Sequence, residues 1–349
     1  MKYHYSRQEG WLGNPCGLVL FKGQYHLFFL LNPDSPRYGA LSWGHAVSDD
    51  LISWEERPIA LSPVDEYSCN SGSAIVHDGR IWLFYSSISS DQNARICVAY
   101  SDDGVSFARV KESAVSIVIP ESVTMLHDPF VFRFGNGFRL IAGAGQDGIA
   151  TVLQYESDDL LNWRFSGNLL SDFRYGRVIE NPIMAETDGK WIFIIQTEKH
   201  IPTKLLFAVG EYDGERFVFD NDIEPFGAVE LCDDLLYPVT AKDDEGNTLV
   251  MAWMFSQKMN EAAISCPRLL TVNRKGEACM MPYGDLNRRA SKESSFVSYE
   301  DGRLRVFCNG RVGLDKAYRE CPEISCLEDV GMVEVFINGG TETVSLFIC

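Results

Sequence analysis

The hydrophobic positions of this chain recur in five copies of one pattern. In each copy a polar, glycine-containing turn leads into a short apolar and aromatic run, and these runs begin at Tyr25, Ile81, Phe138, Trp191 and Thr248. The copies follow one another at steps of about 55 residues, a period that is typical of repeat architectures. We therefore predict that five structural units of similar size succeed one another along the chain.

A second, polar pattern supports the same period. Ser-Asp-Asp followed shortly by an aromatic residue occurs at 48–54, 101–107 and 157–163, as expected for a turn between two strands. The units contain short β-branched and aromatic runs and no long helical pattern, which favours strands. Four-stranded units that repeat around an axis form a β-propeller. We therefore predict an all-β chain with a five-bladed β-propeller over residues 1–287.

The remaining residues, 288–349, show a different arrangement. A polar segment at 287–295 is followed by apolar runs at 303–308, 333–337 and 344–348, the last two separated by a glycine-rich turn typical of a β-hairpin. A unit this short buries little core by itself. We predict a shortened, β-sandwich-like C-terminal domain that packs on the propeller.

Charge and cysteine content argue against several classes of binding partner and of site. The net charge of −18 argues against nucleic acid and anionic membranes, and no apolar run is long enough to span a bilayer. The chain begins without an apolar signal region, and its ten cysteines lack metal-ligand spacing. We expect a cytoplasmic protein without metal, cofactor or disulfide framework, whose partner is a small neutral molecule.

Alignment of the five copies identifies one polar position about ten residues before each apolar run. It is occupied by Asn14, Ser71, Asp128, Glu180 and Tyr237, and proline lies just after four of these residues. Because the innermost strand of a propeller blade lines the axis, these side chains should converge at one end of the channel. Two carboxylates that face each other across a pocket are the apparatus of glycoside hydrolysis.

The chain also resembles a known family in several motifs. These are Trp-Leu-Gly-Asn-Pro-Cys-Gly at 11–17, Trp-Gly-His-Ala-Val-Ser-Asp-Asp-Leu at 43–51, His-Asp-Pro at 127–129, Glu-Asn-Pro at 180–182 and Val-Glu-Val-Phe-Ile-Asn-Gly at 333–339. They resemble glycoside hydrolase family 32, the β-fructofuranosidases, which combine a five-bladed propeller with a β-sandwich. The resemblance implies a nucleophile position at Asn14, a transition-state stabiliser at Asp128 and a general acid/base at Glu180. We expect substrate contacts from Trp11, Trp43, Ser71, His127, Asn181 and Tyr237.

The differences from the family fall in the motifs that carry its catalytic residues. The family has an aspartate nucleophile where this chain has Asn14, and an amide cannot form the normal glycosyl ester. His127 replaces the arginine of the family's Arg-Asp-Pro motif, and Asn181 replaces the cysteine of its Glu-Cys-Pro motif. Because Gly13, Cys16 and Leu30 depart as well, natural divergence accounts for Asn14 better than one engineered substitution does.

Three functional hypotheses follow from these residues. The first is hydrolysis of a fructoside or related furanoside, with water oriented by Asn14 and with Glu180 and Asp128 in their family roles. The second is a non-hydrolytic, carbohydrate-binding propeller. The third is a glycosidase with an altered substrate, in which His127, Asn181 and Leu30 reshape the sugar site. The tryptophans are either sugar-stacking platforms or core residues.

Overall fold

The regular secondary structure in the described part of the chain is almost entirely β-strand. The computed structural model describes residues 2–89, 94–197, 204–256, 260–308 and 311–348. Five antiparallel sheets succeed one another along the chain, and in the first four the strands pair in chain order. Each apolar run predicted from the repeat forms the second strand of one of these sheets.

The five sheets have the following strands. The first contains β1 (Trp11–Phe21), β2 (Gln24–Asn32), β3 (Ser42–Ser48) and β4 (Glu55–Leu61). The second contains β5 (Ser68–His77), β6 (Arg80–Ile88), β7 (Ala94–Ser101) and β8 (Ala108–Arg109). The third contains β9 (Val123–Phe134), β10 (Gly137–Gln146), β11 (Ile149–Ser157) and β12 (Arg164–Ser171). The fourth contains β13 (Ile179–Thr187), β14 (Lys190–Thr197), β15 (Lys204–Tyr212) and β16 (Phe217–Phe219). The fifth contains β17 (Leu235–Lys242), β18 (Thr248–Ser256), β19 (Glu261–Ile264), β20 (Arg268–Val272) and β21 (Ala278–Pro282).

The first strands of the five sheets lie next to one another. β1 contacts β5, β5 contacts β9, β9 contacts β13, β13 contacts β17, and β17 returns to β1. A hydrophobic core fills the space between each pair of adjacent sheets, including the pair formed by the fifth and the first. Leu27 and Met251, for example, are fully buried in the core that joins the first sheet to the fifth.

Irregular ladders in the first strands decide where the polar side chains point. In the third, fourth and fifth sheets the register shifts at Asp128, Asn181 and Tyr237, each of which precedes a proline. All three have positive φ, between 46° and 48°, an uncommon conformation for residues other than glycine. The prediction that Glu180 occupies the shared position is therefore wrong by one residue. Glu180 still pairs with Gln196 in the regular ladder, and Asn181 takes the shared position.

Two three-stranded sheets form the C-terminal part of the chain. They contain β22 (Val297–Glu300), β23 (Arg303–Cys308) and β24 (Arg311–Ala317), then β25 (Ile324–Asp329), β26 (Met332–Ile337) and β27 (Glu342–Phe347). The predicted hairpin is the β26–β27 pair. Buried side chains from both sheets, among them Val306 and Val335, share one core.

A buried cluster of charged residues joins this part to the rest of the molecule. We call it the Arg268 cluster, and its members are His4, Glu230, Arg268, Asp329 and Glu334. The Arg268 guanidinium, on the fifth sheet, lies 2.6 Å from a Glu334 oxygen on β26 and 3.4 Å from Glu230. His4 bridges Asp329 at 3.0 Å and Glu334 at 2.7 Å. The N-terminal segment, the fifth sheet and the C-terminal hairpin are thereby held together.

Helices are short wherever the structure describes the chain. One α-helix, α1 (Asp285–Arg289), lies in the stretch that precedes the C-terminal sheets, and single 3-10 turns occupy Glu112–Ala114 and Phe173–Tyr175. None of the helices in the described residues has the length and apolar character needed to cross a membrane.

Candidate active site

The polar residues identified by the repeat meet at one end of the first strands. The Asn14 amide donates to the Ser71 hydroxyl at 3.1 Å, and the backbone N–H of Asn181 donates to the Asp128 carboxylate at 2.8 Å. The Asn181 side chain also donates to the Pro238 carbonyl at 2.9 Å. These bonds run from one sheet to the next, so the site is built from residues that are far apart in sequence.

Asn14 is buried at the irregular start of β1. Its Nδ2 donates to Ser71 Oγ and to the carbonyl oxygen of Pro15, both at 3.1 Å. The amide is therefore held in place through its nitrogen, and its carbonyl oxygen Oδ1 is the atom it can offer to water or to a sugar hydroxyl. A carboxylate in the same place could accept a hydrogen bond from Ser71.

Asp128 is buried between Ser71 and Asn181. Burial raises the pKa of its carboxyl group, because the charged form loses solvation, while the neighbouring His127 opposes this effect. The N–H of Asn181 and the hydroxyl of Ser71 also favour the ionised form. Asp128 is thus a carboxylate with several fixed donors and a raised pKa, which suits contact with sugar hydroxyls and with developing positive charge.

Glu180 lies one residue before the shared position and is partly buried. Burial and the neighbouring charge of Asp128 raise its pKa, because both disfavour the ionised form. The Tyr237 hydroxyl donates to Glu180 Oε2 at 2.8 Å and fixes the direction of the carboxyl group. A carboxyl group with a raised pKa next to a second carboxyl group has the properties of a general acid.

A close approach between sheets sets the backbone beneath Glu180. A Cβ at Gly143, on β10, would overlap the carbonyl oxygen of Ile179, the residue before Glu180. Glycine at this position therefore allows the third sheet to contact the backbone of β13 directly. The contact brings the strand that carries Glu180 against the sheet that carries Asp128.

Gln196 is a site residue that the sequence analysis missed. Its side chain is fully buried, and its Oε1 accepts a hydrogen bond from the backbone N–H of Tyr237 at 2.9 Å. Tyr237 has a positive φ of 47°, so this bond supports an unfavourable backbone conformation. Burial raises the pKa of the Tyr237 phenol, which therefore stays protonated and available as the donor to Glu180. The available signal was a lone polar side chain at the end of an apolar strand.

The prediction that Trp43 contacts the substrate is wrong. Its ring is fully buried in the core between the first two sheets, 6.1 Å from the ring of Tyr85, and its indole N–H donates to the carbonyl oxygen of Asn70 at 3.0 Å. A fully buried tryptophan whose N–H already has a partner stabilises the core and presents no face to a sugar. Trp43 was indistinguishable by sequence from an exposed aromatic residue.

Trp11 is partly buried and lies closer to the site. Its ring makes edge contacts with Trp253 at 5.8 Å and with Tyr38 at 5.4 Å. A Cβ at Gly13 would lie 2.5 Å from the Trp11 ring and 2.8 Å from Leu30 Cβ. The Trp11 ring and the Leu30 Cβ thus fill the space that a side chain at position 13 would need, which explains in steric terms why that position is glycine.

His127 forms the boundary between Asp128 and a neighbouring cavity. It is partly exposed and close enough to act electrostatically on both Asp128 and Glu180. It also lines a cavity of about 380 Å³ together with Tyr38, Tyr67 and other residues. The structure therefore places His127, Ser71, Asn181 and Tyr237 next to Asn14, Asp128 or Glu180, and their contacts with a substrate stay a prediction.

Comparison with known proteins identifies the family. The model of the glycosyl hydrolases family 32 N-terminal domain matches residues 4–281. The sucrose-6-phosphate hydrolase of Bacillus subtilis is 29% identical over 304 residues, which are 78% of this chain and 62% of that protein. The invertase of Schwanniomyces occidentalis is 30% identical over 278 residues, covering 72% of this chain and 51% of the invertase. The chain thus spans less than two thirds of the length of these curated relatives.

Solved structures show the same fold. The β-fructofuranosidase of Bombyx mori superposes with a TM-score of 0.87 at 22% identity, covering 99% of this chain and 88% of that one. The sucrose-6-phosphate hydrolase of Lactobacillus gasseri superposes with a TM-score of 0.85 at 19% identity, covering 100% and 88%. These likenesses show the fold, and the match of the family model over residues 4–281 shows that the chain belongs to glycoside hydrolase family 32.

Proposed function

We propose that this protein is a glycosidase of the β-fructofuranosidase type that hydrolyses a fructoside or a related furanoside. The observation that carries the proposal is the Glu180 carboxyl group, whose pKa is raised and whose orientation is fixed by Tyr237, beside the buried carboxyl group of Asp128. The names of the relatives, invertase and sucrose-6-phosphate hydrolase, supply the class of sugar.

The architecture that we propose is a five-bladed β-propeller over residues 1–287, followed by a small β-sandwich over residues 288–349. Its support is the succession of contacts from β1 through β17 and back to β1, with a hydrophobic core between each pair of adjacent sheets. In this arrangement the five shared positions encircle one end of the axis, and the sugar binds there.

The reaction replaces the usual nucleophile with water. Glu180 gives its proton to the leaving oxygen while the bond between that oxygen and the anomeric carbon breaks. Water bonds to the anomeric carbon, held by the carbonyl oxygen of Asn14, and releases its proton to solvent, while the Asp128 carboxylate stays ionised and stabilises the developing positive charge. Glu180 then takes up a proton from solvent, which restores the starting state. The product has inverted configuration, because a single displacement occurs without a covalent intermediate.

A non-hydrolytic, sugar-binding propeller is the second candidate function. The observation that favours it is Asn14 itself, which is held by Ser71 and the Pro15 carbonyl and cannot form the glycosyl ester. In this alternative, Asp128 and Glu180 serve only as hydrogen-bonding groups for the sugar hydroxyls.

An activity panel separates the two candidates. Sucrose, sucrose-6-phosphate, a short fructan and other furanosides are incubated with the unmodified chain and with Asn14→Asp, and sugar release is followed with and without methanol. We expect release by the unmodified chain without methyl glycoside, because water attacks directly. Asn14→Asp should form methyl glycoside through a covalent intermediate. Saturable binding of a sugar with no release from any substrate would instead establish the binding function.

A further inference from the structure

We propose that the cavity beside His127 is the subsite for the leaving group and that it takes an unphosphorylated sugar unit. This inference rests on the proposed function and names the substrate class for the same site. It distinguishes this chain from the relatives named sucrose-6-phosphate hydrolase, whose substrate carries a phosphate group.

The position of the cavity follows from the strands that form its walls. Asn70 and His127 line it, and they directly precede Ser71 and Asp128 in β5 and β9. The cavity therefore adjoins the catalytic positions between the second and third sheets. Its volume of about 380 Å³ falls in the range of small-molecule sites.

The cavity has exposed aromatic and apolar surface on its walls. Tyr38 is 68% exposed, Tyr67 is 52% exposed and Met125 is 39% exposed, and all three line the cavity. Tyr38 also contacts Trp11, whose ring contacts Trp253, and Trp253 lies 6.2 Å from Tyr237. A row of aromatic rings thus runs from the cavity to the residue that holds Glu180.

This surface suits a neutral sugar ring. The C–H faces of a pyranose or furanose ring are apolar, whereas its hydroxyl groups need only a few polar partners. The Asn70 amide nitrogen, the Thr124 hydroxyl oxygen as an acceptor and His127 can supply such partners along the same walls. The Ser68 hydroxyl, in contrast, is already bonded to Asn70 and to the Leu41 N–H. Aromatic platforms with a small number of polar groups are what a second sugar unit requires.

The charges of the cavity disfavour a phosphate group. No lysine or arginine occurs among the described residues that line it, and His127 is the one lining side chain that can carry positive charge. Arg109 comes close to this wall through Glu66, the residue before Tyr67, but its guanidinium is engaged by that carboxylate at 2.7 Å. Phosphate recognition normally uses arginine or lysine donors. The chain's net charge of −18 adds a general repulsion of anions.

Calorimetry on the Glu180→Gln background tests the inference without turnover, using fructose, sucrose and sucrose-6-phosphate as ligands. We expect sucrose to bind at least about tenfold more tightly than sucrose-6-phosphate, since an unpaired phosphate must lose its solvation. Tyr38→Ala and Tyr67→Ala should weaken sucrose binding about fivefold and leave fructose binding unchanged. Tyr38→Phe, which keeps the ring, is the matched control. Met125→Arg should bring the affinity for sucrose-6-phosphate up to or beyond that for sucrose.

The outcomes separate this inference from the proposed function. Failure of fructose and sucrose to bind would refute the furanoside site itself. Normal fructose binding, together with sucrose binding that both tyrosine variants leave unchanged, would refute the cavity as the leaving-group subsite. Sucrose-6-phosphate binding as tightly as sucrose to the parent protein would refute the selection against phosphate while leaving the proposed function intact.

Discussion

Glu334→Gln should strongly lower the stability of this protein. The Glu334 carboxylate is fully buried and accepts hydrogen bonds from Arg268 Nη2 at 2.6 Å, from Arg268 Nε at 3.0 Å and from the Cys266 N–H at 2.8 Å. His4 Nε2 lies 2.7 Å from Glu334 Oε1, the oxygen that also accepts from Cys266. Glutamine keeps the shape and removes the charge, so Arg268 would remain buried with Glu230 as its one carboxylate, 3.4 Å away.

The expected loss is about 3–5 kcal/mol in the free energy of unfolding, the usual cost of removing one partner from a buried ion pair. Urea denaturation followed by circular dichroism measures it. Asp315→Asn is the matched control, because its partner Arg303 is 41% exposed and such surface pairs contribute about 0–1 kcal/mol. Equal, small losses in the two variants would show that the Arg268 cluster does not hold the C-terminal sheets in place.

Three further predictions follow from other contacts. Burial alone would lower the pKa of His4, but Asp329 and Glu334 outweigh burial and raise it. The contribution of His4 to the free energy of unfolding should therefore be complete below about pH 6.5 and decline at higher pH. His4→Gln should abolish that decline when the free energy of unfolding is measured against pH. Gly13→Ala should displace the Trp11 ring, cost about 1–3 kcal/mol and change tryptophan fluorescence, whereas unchanged stability and emission would contradict the steric reading. Tyr237→Phe removes a hydrogen bond that lowers the pKa of Glu180, so the alkaline limb of the pH–rate profile should move to higher pH; a shift to lower pH would contradict the assigned contact.

The repeat could be predicted from the sequence because its pattern depends only on residues that are close together in the chain. A glycine turn followed by an apolar run fixes a strand within a few residues, and all five predicted runs became second strands. The irregular ladders could not be predicted from the sequence, because the position of a bulge depends on how two strands pair. For that reason the alignment of the repeats assigned Glu180 to the shared polar position, which Asn181 occupies.

Burial accounts for the other differences. Trp43 and Trp11 look alike in sequence, yet the first is enclosed between two sheets and the second borders the site. Arg268 and Gln196 lie in or next to apolar strand patterns and gave no signal of their partners. Those partners come from distant parts of the chain, such as Glu334 and Tyr237, so only the folded structure brings them together.

The central claim is that Glu180 acts as the general acid of a hydrolysis that needs no carboxylate at position 14. The most direct measurement is the rate of sugar release from the best furanoside of the panel, compared between the unmodified chain and Glu180→Gln. Loss of general acid catalysis should lower kcat by about 10²-fold to 10⁴-fold. Equal release by both proteins, or no release from any furanoside by the unmodified chain, would contradict the claim.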